Sequence, residues 1–224
     1  MTHVKYNGRD GMTRDDGLAP PDYRAETDES LMLRVGKGDR QAFDEIVRRY
    51  GSKMINLAYQ ITGDRDLAED IGQETFFRAY RSAPRYREIS KFSTWLYTIA
   101  INLCRNELRK RKFRIFSLEG MAEREEDEKI RIDIVDDRLK PDAELERKEL
   151  GRMIRKAIAS LPEKFRTPLV LRDIQGLAYD EIGRILNLPE GTVKSRINRA
   201  RLRVKDILKP VLDEDLKEAS DNGV

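Results

Sequence analysis

The residues best suited to bind a ligand in this chain lie on one predicted helix near its C-terminus. Between Val193 and Val204, apolar residues recur every three or four positions, a spacing that predicts one buried helix face. The opposite face carries Lys194, Ser195, Asn198 and Arg199. Arginine and lysine can pair with guanine, asparagine with adenine and serine with phosphate, so this face suits the major groove of DNA.

A shorter predicted helix and a tight turn come immediately before this segment. The first helix spans about Tyr179 to Leu186, and Pro189 and Gly191 then interrupt the helical pattern. The second helix is expected to begin near Gly191 or Thr192 and to run to about Leu208. This order is typical of a helix-turn-helix. The alternative interpretation is a solvated basic helix in a small bundle.

The composition argues against catalysis and against a metal site. The chain has a single cysteine, Cys104, and a single histidine, His3, in unrelated segments, which excludes a Cys/His zinc site and a histidine-based catalytic triad. Glycine loops that cradle phosphates are absent. We therefore expect a protein that is not an enzyme and needs no metal or cofactor, with Cys104 as a small core residue.

Charge is abundant but segregated along the chain. Charged residues make up 38% of the sequence, yet the formal net charge is only +3. Residues 101–114 and the terminal helix are basic, whereas residues 119–149 are acidic. Two basic regions separated by an acidic connector indicate two distinct nucleic-acid contacts. No apolar run approaches the ~20 residues of a membrane span, so a cytoplasmic protein without membrane insertion is expected.

The N-terminal half shows helical periodicity and no alternating strand pattern, which predicts an all-α fold. The expected helix caps are Thr27 or Asp28, Asp39 and Asp64. Residues 1–26 lack apolar periodicity and are predicted to form a disordered extension. The helix after Asp64 presents Asp70, Gln73 and Glu74 at i, i+3 and i+4, which makes one polar face for a basic partner. A merely solvated acidic face is the alternative.

Aromatic and basic residues then follow one another between residues 84 and 112. A loop at 84–91 leads into a long helix that starts near Phe92 and ends in the basic run Arg109 to Lys112. Tyr86, Trp95 and Tyr97 lie near several cations, a combination that suits unpaired DNA bases, where stacking contributes ~1–3 kcal/mol per base. The alternative is that Trp95 and Tyr97 simply belong to the core.

Two separated motifs together resemble a known family. They are AEDIGQETFFRAYR with FSTWLYTIAINLCRNELRKRKF, and LPEKFRTPLVLRDIQGLAYDEIGRILNLPEGTVKSRINRARLRV. Their order, spacing and residue types closely resemble a bacterial RNA polymerase sigma factor of the extracytoplasmic-function (ECF) type, over roughly residues 28–208. The resemblance implies two small helical domains joined by a flexible acidic linker, the second a helix-turn-helix. The expected borders are 1–26 extension, 27–113 first domain, 114–140 linker, 141–210 second domain and 211–224 tail.

The resemblance also implies partners and site residues. Asp70, Gln73 and Glu74 would dock on the clamp helices of the polymerase β′ subunit. The residues implied at the −10 promoter element are Arg85, Tyr86, Lys91, Trp95, Asn102, Arg105, Asn106 and Arg109. Those implied at the −35 element are Thr192, Lys194, Ser195, Arg196, Asn198, Arg199 and Arg203. Apolar residues around Phe165 and Leu169 would help form the domain that sits on the β flap, and an anti-sigma factor is a further expected partner.

Two other functions remain open at the level of sequence. A stand-alone helix-turn-helix regulator would bind specific DNA without polymerase and would not melt a promoter. A sigma-like decoy would bind an anti-sigma factor and never contact DNA. The basic outward face of the terminal helix argues against the decoy.

Overall fold

A computed structural model of the chain describes the backbone of residues 22–119 and 143–221, and the side chains of residues 22–114 and 150–210. Within these ranges the chain forms eight α-helices and no β-strand, which confirms the predicted all-α fold. The helices are α1 (Asp28–Gly36), α2 (Arg40–Thr62), α3 (Arg65–Ser82), α4 (Phe92–Glu119), α5 (Ala143–Ala159), α6 (Glu163–Leu169), α7 (Tyr179–Leu186) and α8 (Glu190–Asp221). Among these helices, none combines the length and apolarity needed to cross a lipid bilayer.

The helices α1 to α4 form an N-terminal unit whose boundaries follow from side-chain caps. The side chains of Thr27, Asp39 and Asp64 accept hydrogen bonds from backbone N–H groups in the first turns of α1, α2 and α3. Gly63 ends α2 in the left-handed conformation, with φ of 72°, which glycine adopts without steric cost. All three predicted caps are confirmed.

The segment just before α1 is part of the fold, contrary to the predicted disorder of residues 1–26. Arg49 on α2 donates hydrogen bonds to the backbone carbonyls of Tyr23, Arg24 and Glu26, and it also pairs with Asp28 at 2.7 Å. One half-buried guanidinium therefore holds a turn that carries no apolar periodicity. The remainder of the predicted extension, residues 1–21, lies outside the described residues.

The helices α5 to α8 form a C-terminal unit that contains the helix-turn-helix. A short 3-10 turn (Ala83–Arg85) precedes the 84–91 loop in the first unit, and a π-helical turn (Val170–Ile174) links α6 to the loop before α7 in the second. The helix α7 has the predicted bounds. It ends at Asn187, whose φ of 54° places it in the left-handed region. Gly191 was expected to relax the turn but lies inside α8, because the left-handed asparagine already reverses the chain.

Two helices extend further than the sequence pattern indicated. The helix α4 continues to Glu119, so the predicted 113/114 border falls inside it, and the rest of the predicted linker up to residue 140 lies outside the described residues. The helix α8 was expected to end near Leu208 and instead runs through Pro210 to Asp221, into the predicted tail. On α5, Ile158 is buried, whereas Leu150 and Ile154 are exposed.

The two units pack directly against each other. Their buried apolar side chains form one continuous cluster that runs from Leu31 on α1 to Ala200 on α8. The helix α4 packs against α7, and α2 packs against α5 and α6. The arrangement of the units, which the sequence left open, is therefore closed.

Candidate nucleic-acid interface

The outward face of α8 is fixed by the burial of its opposite face. Val193, Ile197 and Ala200 are at most 1% exposed, and they pack α8 against the rest of the C-terminal unit. This spacing forces Lys194, Ser195, Asn198 and Arg199 into solvent, as the helical pattern predicted. The exposed face is continuous over two turns of helix.

The side chains on this face differ in how they are held. Lys194 pairs with Glu190 at 2.6 Å, which raises the pKa of the lysine, and the hydroxyl of Ser195 donates to the carbonyl of Thr192 within the helix. Asn198 and Arg199 make no hydrogen bond or ion pair within the part of the chain that the structure describes. These two side chains are therefore the most available for an outside partner.

The flank of α8 also contacts the rest of the C-terminal unit. The guanidinium of Arg203 lies 4.5 Å from the centroid of the Phe165 ring on α6, so this arginine braces the unit as well as facing solvent. Arg196 is half-buried, and so is Thr192 at the start of the helix. Phe165 and Leu169 themselves are buried, as their apolar pattern indicated.

The turn between α7 and α8 is tight because glycine permits a close approach. A Cβ atom at Gly183 would lie 2.9 Å from the carbonyl oxygen of Leu188, closer than real Cβ contacts allow. The N–H of Leu188 donates to the carbonyl of Gly183 at 2.9 Å, which fixes the same approach. The ring of Tyr179 lies between the cations of Arg172 and Lys194, at 4.6 and 5.5 Å from its centroid. These contacts set the angle at which α8 is presented.

The N-terminal unit carries a cluster of aromatic rings at the start of α4. The ring centroids of Tyr86 and Trp95 are 5.4 Å apart, and both rings contact Phe92, which packs in turn on Tyr50. Trp95 is half-buried and packs against the hydrophobic core, and Tyr97 is buried in it, so the core interpretation holds for Tyr97 and in part for Trp95. The buried hydroxyl of Tyr86 has no partner among the described residues, and burial raises its pKa to about 12.

An open groove of about 980 Å³ lies beside these rings. Its walls include Trp95 and Tyr86, and four arginines line it without any acidic side chain. These arginines are Arg78, Arg81, Arg85 and Arg87. Of the four, only Arg85 was among the expected site residues. Arg78 and Arg81 lie one turn apart at the end of α3. Together with Arg85 they recur every three or four positions, and this spacing is the sequence signal that could have identified them.

The helix α4 was expected to face DNA, but part of its polar face contacts the C-terminal unit. Lys91 pairs with Glu181 on α7 at 2.7 Å, and Arg105 pairs with Glu163 on α6 at 3.3 Å. The hydrogen bond from Lys91 lowers the pKa of Glu181, and its own pKa is raised by the same contact. Asn102 and Arg109 are exposed, and Arg109 donates to Asn106 at 3.1 Å.

The polar face of α3 lies on the N-terminal unit away from the buried stripe. Asp70 and Gln73 are exposed and have no partner among the described residues, while Glu74 pairs with Arg78 at 2.7 Å. Phe77 follows one turn later and is 55% exposed, so this face combines acidic, amide and aromatic side chains. Such a face suits a protein partner that supplies cations.

The single cysteine lies in the core of the N-terminal unit. Cys104 is fully buried, as expected for a core residue, and burial raises the pKa of its thiol to about 12. Among the described residues, His, Cys, Asp and Glu side chains do not gather in groups of three that would hold a metal ion.

Comparison with known proteins places both units in one family. The profile of Sigma-70 region 2 matches residues 46–114, and that of Sigma-70 region 4 matches residues 151–204. The chain is 38% identical to RNA polymerase sigma-H factor of Pseudomonas aeruginosa, across 84% of this chain and 97% of that protein. It is 42% identical to ECF RNA polymerase sigma factor SigW of Bacillus subtilis, across 75% and 89%. The chain belongs to the sigma-70 family of RNA polymerase sigma factors, in its ECF group.

Solved structures show the same fold. CnrH, in complex with the cytosolic domain of CnrY, superposes with a TM-score of 0.61 at 23% identity, covering 83% of this chain and 99% of that one. The sigma factor RpoE of Bartonella quintana, in complex with the anti-sigma factor NepR, gives 0.58 at 24%, covering 75% and 96%. As a member of this family, the protein is a DNA-binding sigma factor that directs RNA polymerase to specific promoters.

Proposed function

We propose that the two units divide promoter recognition between them. The N-terminal unit binds core polymerase and opens the −10 element, and α8 binds the −35 element as duplex DNA. The observation that carries this division is the groove beside Tyr86 and Trp95, because stacking surfaces and four arginines fit an unpaired strand rather than a duplex. The protein makes and breaks no bond itself, and it acts in the cytoplasm, where polymerase and promoters are.

Opening a promoter costs base-stacking energy, which the groove offsets by holding bases outside the duplex. Aromatic stacking supplies ~1–3 kcal/mol per base. The surrounding arginines, including Arg78 and Arg81, hold the backbone through phosphate contacts, which makes binding depend on salt. The exposed Asn102 and Arg109 extend this contact along α4 toward the neighbouring base pairs.

The −35 element is bound through the exposed face of α8. Asn198 and Arg199 are available for bidentate pairing with adenine and guanine, respectively. Lys194, Ser195, Arg196 and Thr192 lie on the same side or its edge, where they contact phosphates or neighbouring bases. The resulting two-point attachment sets the spacing between the promoter elements.

Asp70, Gln73 and Glu74 form the contact with the clamp helices of the polymerase β′ subunit, and the surface around α6 contacts the β flap. An anti-sigma factor is a further partner, and the Bartonella protein with a similar fold is described in complex with one. Family profiles that cover both units favour this function over a stand-alone regulator or a decoy.

In vitro transcription with core polymerase and a random promoter library tests the proposal. We expect the protein to direct initiation from a subset of sequences with two short common elements. A protein that neither binds core polymerase nor selects promoters would overturn it.

Reversing the charge of Asp70 tests the polymerase contact separately. Asp70→Lys should weaken core binding by more than ~10-fold, because like charges placed across an interface cost several kcal/mol. Duplex −35 binding by the C-terminal unit should stay unchanged. Asp44→Lys, on the exposed side of α2, is the matched control. Equal loss of core affinity in both variants would show that net charge, and not the α3 face, is responsible.

A further inference from the structure

Three polar contacts join α4, directly or through the residue before it, to the C-terminal unit. Lys91 reaches Glu181 at 2.7 Å, the hydroxyl of Tyr97 donates to Gln175 at 3.0 Å, and Arg105 reaches Glu163 at 3.3 Å. Lys91 and Arg105 are 14 positions apart, which is roughly 20 Å along a helix at 1.5 Å per residue. The C-terminal unit therefore follows one side of α4 over about the first half of this helix.

Both ion pairs place a carboxylate where a DNA phosphate would have to bind. Lysine and arginine form similar charge-assisted hydrogen bonds with carboxylate and phosphate oxygens. Lys91 and Arg105 are among the residues assigned to −10 DNA, and each is paired with a glutamate of the other unit. Neither cation can keep its glutamate and bind a promoter phosphate with full strength at the same time.

The other DNA surfaces stay accessible in this closed arrangement. Asn198 and Arg199 on α8 are exposed and unpaired within the described residues, and the groove beside Trp95 is open. The covered part is the side of α4 that continues from the groove toward Arg105. The masking is thus selective for one promoter contact.

We propose that the closed arrangement is an autoinhibited state of the free protein, in which Glu163 and Glu181 hold the −10 cations of α4 until the units separate. This inference rests on the proposed role of α4 at the −10 element. The pairs are partly exposed, so each shifts the equilibrium between closed and open states by only ~2–5-fold. The two ion pairs thus act as a latch between the units. Polymerase that binds both units at once can open this latch, because a ligand shifts an equilibrium by the difference in its affinity for the open and closed states.

The chain offers a charge-matched pair of variants to test this latch. Glu163→Gln combined with Glu181→Gln removes both carboxylates that reach α4. An amide oxygen at position 181 can still accept the hydrogen bond that the N–H of Ala178 now donates to Glu181. The control combines Asp173→Asn with Asp180→Asn, whose ion pairs with Arg201 and Arg184 stay within the C-terminal unit. Each of the two variants loses two negative charges, so their net charges are equal.

The measurement is binding of a fluorescent single-stranded oligonucleotide, carrying the −10 sequence selected by transcription, to the full chain without polymerase. We expect the glutamate variant to bind ~3–10-fold more tightly than wild type, because the closed population no longer competes. The aspartate control should stay within about twofold. Equal gains in both variants, or no gain in either, would overturn the proposal.

Small-angle X-ray scattering separates this inference from the proposed function. The glutamate variant should show a larger radius of gyration than wild type and the control, whether or not the protein initiates transcription. Circular dichroism at the same concentration must show unchanged helix content. An unchanged radius would overturn the latch even if transcription succeeds, and failed transcription with a clear expansion would instead reject the promoter roles.

Discussion

The two surfaces assigned to DNA are built on helices with different surroundings. The helix α8 is the last in the chain, and only one of its faces packs, so Asn198 and Arg199 point into solvent. The helix α4 packs on α3 within the N-terminal unit and on α7 of the C-terminal unit. Its cations are therefore shared between solvent and the glutamates of the other unit.

This difference shows that a DNA-binding sequence pattern does not by itself give an available surface. Lys91 and Arg105 have the residue types expected for phosphate contact, just as Arg199 does. The neighbours of Lys91 and Arg105 come from residues 58 to 90 positions away in sequence, whereas Arg199 has no such neighbour among the described residues. Tertiary contacts therefore decide how accessible a surface is to DNA, and in this respect the α4 and α8 surfaces differ.

The largest expected effects come from glycines that each support one surface. A Cβ at Gly36 would lie 2.6 Å from the carbonyl oxygen of Ala83, and one at Gly183 would lie 2.9 Å from that of Leu188. Gly36→Ala and Gly183→Ala should each lower the free energy of unfolding by ~1–3 kcal/mol, because backbone atoms must move. Urea unfolding measures the loss. Gly36→Ala should impair −10 binding and Gly183→Ala −35 binding.

Gly191→Ala is the matched control for these variants. No atom lies within 4 Å of a Cβ at this exposed helical position, so alanine should raise stability by ~0.5–1 kcal/mol. If Gly36→Ala and Gly183→Ala behave like Gly191→Ala, the close approaches do not constrain the fold.

A second prediction concerns sequence choice on the open surface. Asn198→Ala or Arg199→Ala should relax the −35 preference at one position by ~1–3 kcal/mol, the usual value of a bidentate base contact. Binding of the free protein to a panel of −35 duplexes measures it. Lys205→Ala, further along α8 and also exposed, should weaken binding to all duplexes about equally. A uniform loss in the Arg199 variant would reassign that residue to the phosphates.

The smallest predicted effect is a pH dependence of the covered surface. The hydrogen bond from Lys91 lowers the pKa of Glu181 below its usual 4.5, although the nearby negative charge of Asp180 acts to raise it. The contribution of this pair to closure is therefore complete above pH 4.5 and is lost as pH falls through the lowered pKa. Wild type should expand in this window, as measured by scattering, with helix content checked by circular dichroism.

Glu181→Gln has no carboxylate to titrate, so its scattering should change less over the same pH range. Parallel expansion of the variant and wild type would assign the acid effect to other groups. Glu181 would then not account for the difference between the α4 and α8 surfaces.

Local chemistry made much of the fold predictable. Thr27, Asp39 and Asp64 cap helices because their side chains accept bonds from N–H groups two or three residues ahead, which depends only on nearby sequence. The outward face of α8 follows from the period of the helix and its apolar stripe. The promoter and polymerase roles of individual residues stay predictions until tested.

Features that depend on distant residues were missed or wrong. Residues 22–26 carry no apolar pattern and are held by Arg49, more than twenty residues away. The arginines at positions 78 and 81 join the groove only because α3 ends beside the loop that carries Arg85. Asn187 reverses the chain in the left-handed conformation, which asparagine tolerates, whereas the sequence pattern assigned the interruption to Pro189 and Gly191.

The sequence by itself determined the helices, their caps, the helix-turn-helix and the resemblance to one family, because these depend on local periodicity and on motif order. Only the tertiary structure decided that the two units pack together and that Lys91 and Arg105 face glutamates across the boundary. Contacts between residues so far apart in the chain leave no local pattern. They arise from the shapes and charges of two folded surfaces that meet.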